Sequence, residues 1–429
     1  MLRRRGAPPV RMSFTHYLPC LPVAVQLAPV RLAYCRSRPL IEINSVKPIP
    51  LPHRLAMAVL SGMLGLLAAC SSTPSDPRPK FNEQLKEELG SAYPSSHQQA
   101  TGWQADWQFG AQSVALAWLA PASQAPLPLI IYLPGLGEPA NAGEQWRKAW
   151  AEAGYAVLSI QDQDDGPQIY AGGLAQAGDF HSLAANHYAD SALQRRLTAV
   201  QKVISEVRSR AAKGDAQLAA IDWNQVVFAG FDFGAQTALA MAMNPASVQV
   251  QPKALVLLSP YVEAAADPAQ FARLTVPVLS MTGQNDEDPF NWVNTYHQRQ
   301  VLGDAVSVVG SYQVDLNRAT HKTLSGTELV RAPKPDSKAA VLPEATDTGS
   351  KRSPGGGKGR SHGAPSRGAN GPSAGEPPTD PKQAAAIQAI SLAFLDSQTR
   401  HSPAASNWLH KDAAAWLGDA GRLKEKVGR

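Results

Sequence analysis

An α/β fold with a mostly parallel sheet is predicted by two features of the chain. Short apolar runs of strand length recur at Leu129 to Leu133, Ala156 to Ile160, Val226 to Ala229, Ala254 to Leu258 and Val278 to Thr282. Several of these runs are separated by segments with helical periodicity. Strands that alternate with helices place the helices on both faces of a mostly parallel sheet, here of about eight strands. The chain has 429 residues, 44% hydrophobic and 17% charged, enough for one large domain with extensions.

Taken in order, Trp103 to Trp118 reads as two antiparallel strands, with alternation clearest at Val114, Leu116 and Trp118. The strand ending at Leu133 runs into Pro134-Gly135-Leu136-Gly137. A helix from about Glu144 to Ala153 carries Trp146 and Trp150 on one face, and Gly154 ends it. Residues 161–188 are polar and glycine-rich, a long loop or small insert. In the next helix Leu193, Leu197, Val200, Ile204 and Val207 fall at spacings of four, three, four and three, one apolar face. A last strand is expected near Val306 to Val309. Lys351 to Gly375 is almost free of apolar residues, so the stretch 331–380 is expected as a disordered insertion inside the fold. Thr379-Asp380-Pro381 restarts helix, with Ile387, Ile390 and Phe394 on one face, and Trp408 to Leu417 closes the domain.

The formal charge of +5 is carried by the N-terminal region. Residues 1–69 hold nine of the 40 Lys and Arg but one of the 35 acidic residues, leaving 31 basic against 34 acidic, a net of −3. Nothing in that balance argues for nucleic acid. Leu55 to Cys70 is an apolar run too short to span a bilayer, with small residues before Cys70. Leu67-Ala68-Ala69-Cys70 resembles a bacterial lipobox. That resemblance implies lipidation at Cys70 and, with Ser71 and Ser72 following, an outer-membrane location facing the periplasm. The expected layout is then a leader over 1–69, a lipidated tether over 70–100, a core over 101–330, the insertion, and C-terminal helices over 381–429. The true start is placed downstream, near residue 46. Cys20 and Cys35 then drop out, and with Cys70 acylated no free thiol remains for a disulfide or a cysteine nucleophile.

The centre of the chain is Gly230-Phe231-Asp232-Phe233-Gly234, between an apolar strand and a segment of strong helix formers. A strand that becomes a helix within five residues crowds its backbone and needs small residues on both sides of the turn. The pattern resembles the nucleophile elbow of the α/β-hydrolase superfamily, with Asp in place of the usual Ser. Two further positions follow in that superfamily's chain order. Val278 to Thr282 runs into Gly283-Gln284-Asn285-Asp286, which puts Asp286 in the acid position with Asp288 in reserve. Ala319-Thr320-His321 puts His321 in the base position. The resemblance, with a dienelactone-hydrolase-like terminal helix at Gln388 to Asp396, covers about Ser113 to Leu417. It implies an α/β-hydrolase fold, a triad of Asp232, His321 and Asp286, and an oxyanion hole from the backbone N–H groups of Phe233 and Leu136.

Two readings of function follow. The first is a membrane-anchored periplasmic hydrolase, acting on a small-molecule, ester-like or related substrate without a cofactor. An aspartate nucleophile forms an ester that histidine-activated water then cleaves. The leaving group needs a donor, however, and Phe233 has none; the segment Ser259 to Val276 is too short for a full helical lid. The second is a catalytically inactive hydrolase fold acting as a binding or scaffold protein. A metal site of Asp232, Asp286 and His321 stands behind both.

Overall fold

The computed structural model describes residues 76–263, 266–293, 295–330 and 378–427. Nine strands form one sheet in the order β1-β2-β4-β3-β5-β6-β7-β8-β9. The strands are β1 (Ala100–Phe109), β2 (Gln112–Pro121), β3 (Leu127–Leu133), β4 (Ala156–Asp162), β5 (Ile221–Phe231), β6 (Ala254–Leu258), β7 (Val278–Asn285), β8 (Tyr312–Thr320) and β9 (Gly421–Glu425). From β4 to β8 every pairing is parallel; β1 and β2 close one edge antiparallel, and β9 closes the other. The parallel strands lie between two helical layers, which is why β3 and β6 are almost wholly apolar and β4 is buried along its whole length.

One layer contains α1 (Pro77–Gly90), α2 (Glu144–Glu152) and, after further helices, the long Pro381–Thr399 helix. Trp146 and Trp150 of α2 are fully buried in it, and each indole N–H finds an acceptor, Leu324 O at 2.9 Å and Ser391 Oγ at 3.0 Å. The Pro381–Thr399 helix is buried well beyond the Ile387, Ile390 and Phe394 face, because Ala384, Ala385, Ala386, Ala389 and Ala393 let neighbours approach from other sides. The opposite layer contains α4 (Asp190–Ala212), α5 (Phe233–Met243) and α6 (Tyr296–Ala305), while the helix before them, α3 (Phe180–Tyr188), packs in a separate cluster with Phe233, Tyr261 and Phe290. Leu197, Val200, Ile204 and Val207 of α4 are buried as their spacing predicts, and Leu193 packs partly buried beside them.

Three expectations are corrected. Val306 to Val309 is not a strand but the connection after α6, and Val309 is 60% exposed; the strand lies at Tyr312–Thr320. The domain does not close with helix alone: β9 follows and pairs with β8. The tether does not extend to residue 100, because α1 begins at Pro77. Asp76 caps it by accepting the N–H of Arg78, Pro77 opens it, and Phe81 and Leu85 are buried against the body. The expected leader, Cys70 and nearly all of the 331–380 insertion lie outside the described residues. Among those residues no helix is long and apolar enough to cross a membrane.

Candidate functional site

The β5–α5 junction is as tight as its glycines require. A Cβ on Gly230 would stand 2.4 Å from the carbonyl oxygen of Gly234, and one on Gly234 would stand 1.9 Å from that of Leu133. Asp232 sits at the tip with φ 46° and ψ −106°, a conformation non-glycine residues rarely adopt. Its N–H donates to Leu258 O at 2.8 Å, and its carbonyl accepts from Ala235 at 3.0 Å at the start of α5. The strained tip is thereby held from both sides.

The Asp232 side chain is not presented to a cleft. The residue is 1% exposed. Oδ1 accepts from Arg299 Nη1 at 3.0 Å, and Oδ2 accepts from the Tyr188 hydroxyl at 2.8 Å. Arg299, on α6, is equally buried. Its Nη1 also donates to Ser259 O at 2.8 Å, and its Nε lies 3.3 Å from both the carbonyl oxygen and Oδ2 of Asp286. One guanidinium therefore bridges the elbow aspartate and the acid-position aspartate. Burial is the largest influence on Arg299 and lowers its pKa. Asp286 and Asp232 together outweigh that, and its pKa rises above the ordinary guanidinium value. Arg299 Nη2, Asp286 Oδ2 and Ser259 Oγ are buried without hydrogen bonds among the described residues, so the bridge is held at some cost.

His321 opens the short helix α7 (His321–Ser325) straight after β8. Its Nδ1 lies 2.7 Å from Asp286 Oδ1, the contact that fixes Nδ1 as the protonated nitrogen of a neutral ring. The imidazole packs against the Phe231 ring at 4.7 Å and is 17% exposed. Burial acts most strongly on it and disfavours the charged form. The hydrogen bond and charge of Asp286, with Asp232 behind, outweigh burial and Arg299, so its pKa is raised. For Asp286, burial is again the largest influence and raises the pKa. Arg299 and His321 more than offset it and hold the carboxyl below its ordinary value. No hydrogen bond joins Asp232 to His321 among the described residues.

The two shifts give opposite pH signatures. A raised His321 pKa means that its contribution to stability is complete below the unfolded imidazole value of about 6.5 and is lost as pH rises through the folded value. A lowered Asp286 pKa means that its contribution is present above about 3.9 and is lost as pH falls through the folded value. His321→Gln should therefore flatten the decline in urea midpoint that sets in as pH rises above about 6.5. A decline as steep as that of the unsubstituted protein would remove the dyad as its source.

Of the sequence-derived site residues, His321 and Asp286 meet as expected and Asp232 stands beside them, but engaged elsewhere. Asp288, the reserve acid, makes no hydrogen bond to His321 among the described residues. Its carboxylate instead accepts the N–H groups of Phe290, Trp292 and Val293 and shapes their loop. Phe233 and Leu136 are both buried, in the cluster that covers the elbow. On either side of Leu136, Gly135 N–H donates to the Glu138 carboxylate at 2.9 Å and Gly137 N–H to Asp165 O at 2.8 Å. Ser325 Oγ also donates to Glu138, at 2.6 Å. Burial raises the Glu138 pKa. A carboxyl group in this loop is a poor neighbour for a developing oxyanion. Among the described residues, no group of three or more His, Cys, Asp or Glu side chains is placed to hold a metal ion, and Arg299 lies between Asp232 and Asp286 instead.

Three functional residues were missed by sequence reasoning: Arg299, Tyr188 and Glu138. The cover over the elbow was missed with them. It comes chiefly from the 161–188 insert, where Ile169, Leu183, Ala184 and Tyr188 pack with Phe290 and Val293, and from 259–276 Tyr261 joins them. Trp292 stacks on Tyr188 at 5.6 Å and 10°, and Phe233 meets Tyr188 edge-on at 5.1 Å. Against known proteins, no family model matches the chain, and no curated protein matches it.

Proposed function

We propose that this chain is an α/β-hydrolase-fold lipoprotein whose elbow has become a structural joint, and that it acts as a binding or scaffold protein on the periplasmic face of the outer membrane. The fold assignment draws on the strand order β1-β2-β4-β3-β5-β6-β7-β8 with β2 antiparallel, and on Asp232, Asp286 and His321 each following a parallel strand in turn. The single observation that carries the loss of catalysis is the state of Asp232. Both its oxygens are taken by Arg299 and Tyr188 at 1% exposure. A carboxylate nucleophile must approach carbon with a free lone pair. Freeing this one means breaking a buried ion pair and a buried hydrogen bond together.

The hydrolase reading keeps one observation in its favour, the His321–Asp286 pair at 2.7 Å. A hydrolase of this kind would work only with Tyr188 withdrawn and Arg299 turned aside. One preparation tests both parts of the proposal. Membranes from producing cells are fractionated, and the protein is treated with activated esters, epoxides and haloalkanes in its unsubstituted and His321→Gln forms. It should be found in the outer-membrane fraction, move to the soluble fraction or stall in processing on Cys70→Ala, and yield no adduct on the Asp232 peptide. An adduct there would overturn the loss of catalysis. A soluble, correctly processed unsubstituted protein would overturn the anchor.

A further inference from the structure

The elbow is sealed, but a second concavity lies a short distance along the same sheet. It runs between the β1–β2 hairpin and the loops that follow β3 and β4, and encloses about 440 Å³. That is within the ~300–1,000 Å³ range of small-molecule sites. Besides Gln161, four amide side chains line it: Gln104 on β1, Asn141 before α2, and Gln163 and Gln168 after β4. Asp106 is its one charged lining residue. Gln104, Asp106, Asn141 and Gln168 are exposed and Gln163 is half-buried, and none of the five side chains has a hydrogen-bond partner among the described residues, so a ligand there would replace water.

The walls are fixed before any ligand arrives. Gln161, at the end of β4, donates from Nε2 to Gly135 O at 3.0 Å, Glu138 O at 2.9 Å and Asp165 O at 3.2 Å. That single amide ties the loop after β3 to the loop after β4. The Gly137 N–H bond to Asp165 O adds a second tie. Pro139 and Pro167 stiffen the two loops at the rim, and Ala115 and Ala140 line the groove between them. Preorganised walls reduce the ordering cost of binding.

We propose that this groove binds a carbohydrate, a short run of uncharged sugar units. An amide donates and accepts at once, as a sugar hydroxyl does, so four amides match a hydroxyl-rich ligand without fixed charge. Asp106 adds an acceptor for a pair of hydroxyls, and the alanine and proline surface fits the C–H face of a sugar ring. An anionic ligand would meet Asp106 and find no cation in the lining. An extended peptide would instead favour the outer edge of β1, which no strand pairs among the described residues. The inference is independent of whether Asp232 is catalytic.

The test is titration of the full chain, in detergent, with chitotriose, maltotriose, cellotriose and a neutral extended peptide, read by calorimetry. At least one trisaccharide should bind with a Kd of about 1 mM or below, the range a few net hydrogen bonds can supply. Gln104→Ala and Gln163→Ala should each weaken it about five-fold, and Asp106→Asn by less, with melting temperatures unchanged because these side chains support no other contact. The proposal is overturned if no trisaccharide binds at 20-fold that concentration, about 20 mM. It is equally overturned if binding survives both glutamine substitutions, or if only the peptide binds.

Discussion

Arg299→Met should destabilise the fold by about 3–5 kcal/mol, the range for removing one partner of a buried ion pair. The Arg299 guanidinium touches Asp232 at 3.0 Å and Asp286 at 3.3 Å, and all three side chains are at most 2% exposed. Methionine fills much of the volume but leaves two carboxylates facing each other in a dry interior. They respond by binding protons, so their folded pKa values rise. A group with a raised folded pKa loses stability as pH increases, so the penalty should be largest at neutral pH and shrink on acidification. Arg299→Lys should recover little, because an ammonium cannot span both carboxylates and Ser259 O as the planar fork does. Asp232→Asn in the Arg299→Met background should restore part of the loss, since it removes one of the stranded charges; in the native background it should be destabilising. Urea unfolding of the four proteins at pH 5 and pH 7 measures the coupling. Additive effects of the two substitutions would mean that Arg299 and Asp232 do not share a bond in solution.

The parts of this site that could be read from sequence are those with a local cause. Asp232, Asp286 and His321 each stand within a few residues of a strand end, and glycines mark the elbow because the backbone there passes within contact of Leu133. Arg299 has no such mark. It is an ordinary residue in a polar helix, and its role exists only because its side chain reaches Asp232, Ser259 and Asp286, the residues that follow β5, β6 and β7. Tyr188 escaped for the same reason: the 161–188 insert is polar in composition, and its apolar cover is assembled from residues far apart in sequence. The misplacement of β8 has a different origin. Gln313 and Asp315 are buried polar residues inside the strand, with Asp315 satisfied by Thr282 Oγ1 at 2.9 Å and the Tyr296 hydroxyl at 3.1 Å. Hydropathy reads such a strand as loop and favours the apolar but partly exposed stretch before it. β9, Gly-Arg-Leu-Lys-Glu, is an edge strand with charged residues, the usual composition for protecting an edge and a weak strand signal. The Asp76-Pro77 start of α1 was legible as a helix cap, but surrounding prolines suggested a tether.

Gly234→Ala should be the most damaging single-methyl change in the molecule, by about 3 kcal/mol or more, at the upper end of overpacking costs. Gly234 lies inside α5, where its φ is not positive, so conformational freedom is not what the position needs. Helix propensity alone predicts that alanine stabilises the helix by about 1 kcal/mol. Packing predicts the reverse. The new methyl would stand 1.9 Å from Leu133 O and 2.6 Å from Pro134 O, both backbone atoms. No rotamer change relieves that contact; α5 must move off β3. Such a move would shift Asp232 from Arg299 and Tyr188 and open the loop that carries Leu136. Gly214→Ala separates the two effects. Its φ is +87° but a Cβ there meets nothing within 4 Å, so it should show only the ~1 kcal/mol conformational cost of a left-handed residue. Chemical denaturation of both variants decides the matter. A Gly234→Ala protein as stable as the original, or more so, would mean that α5 does not press against β3, and the elbow with its buried aspartate would have to be redrawn.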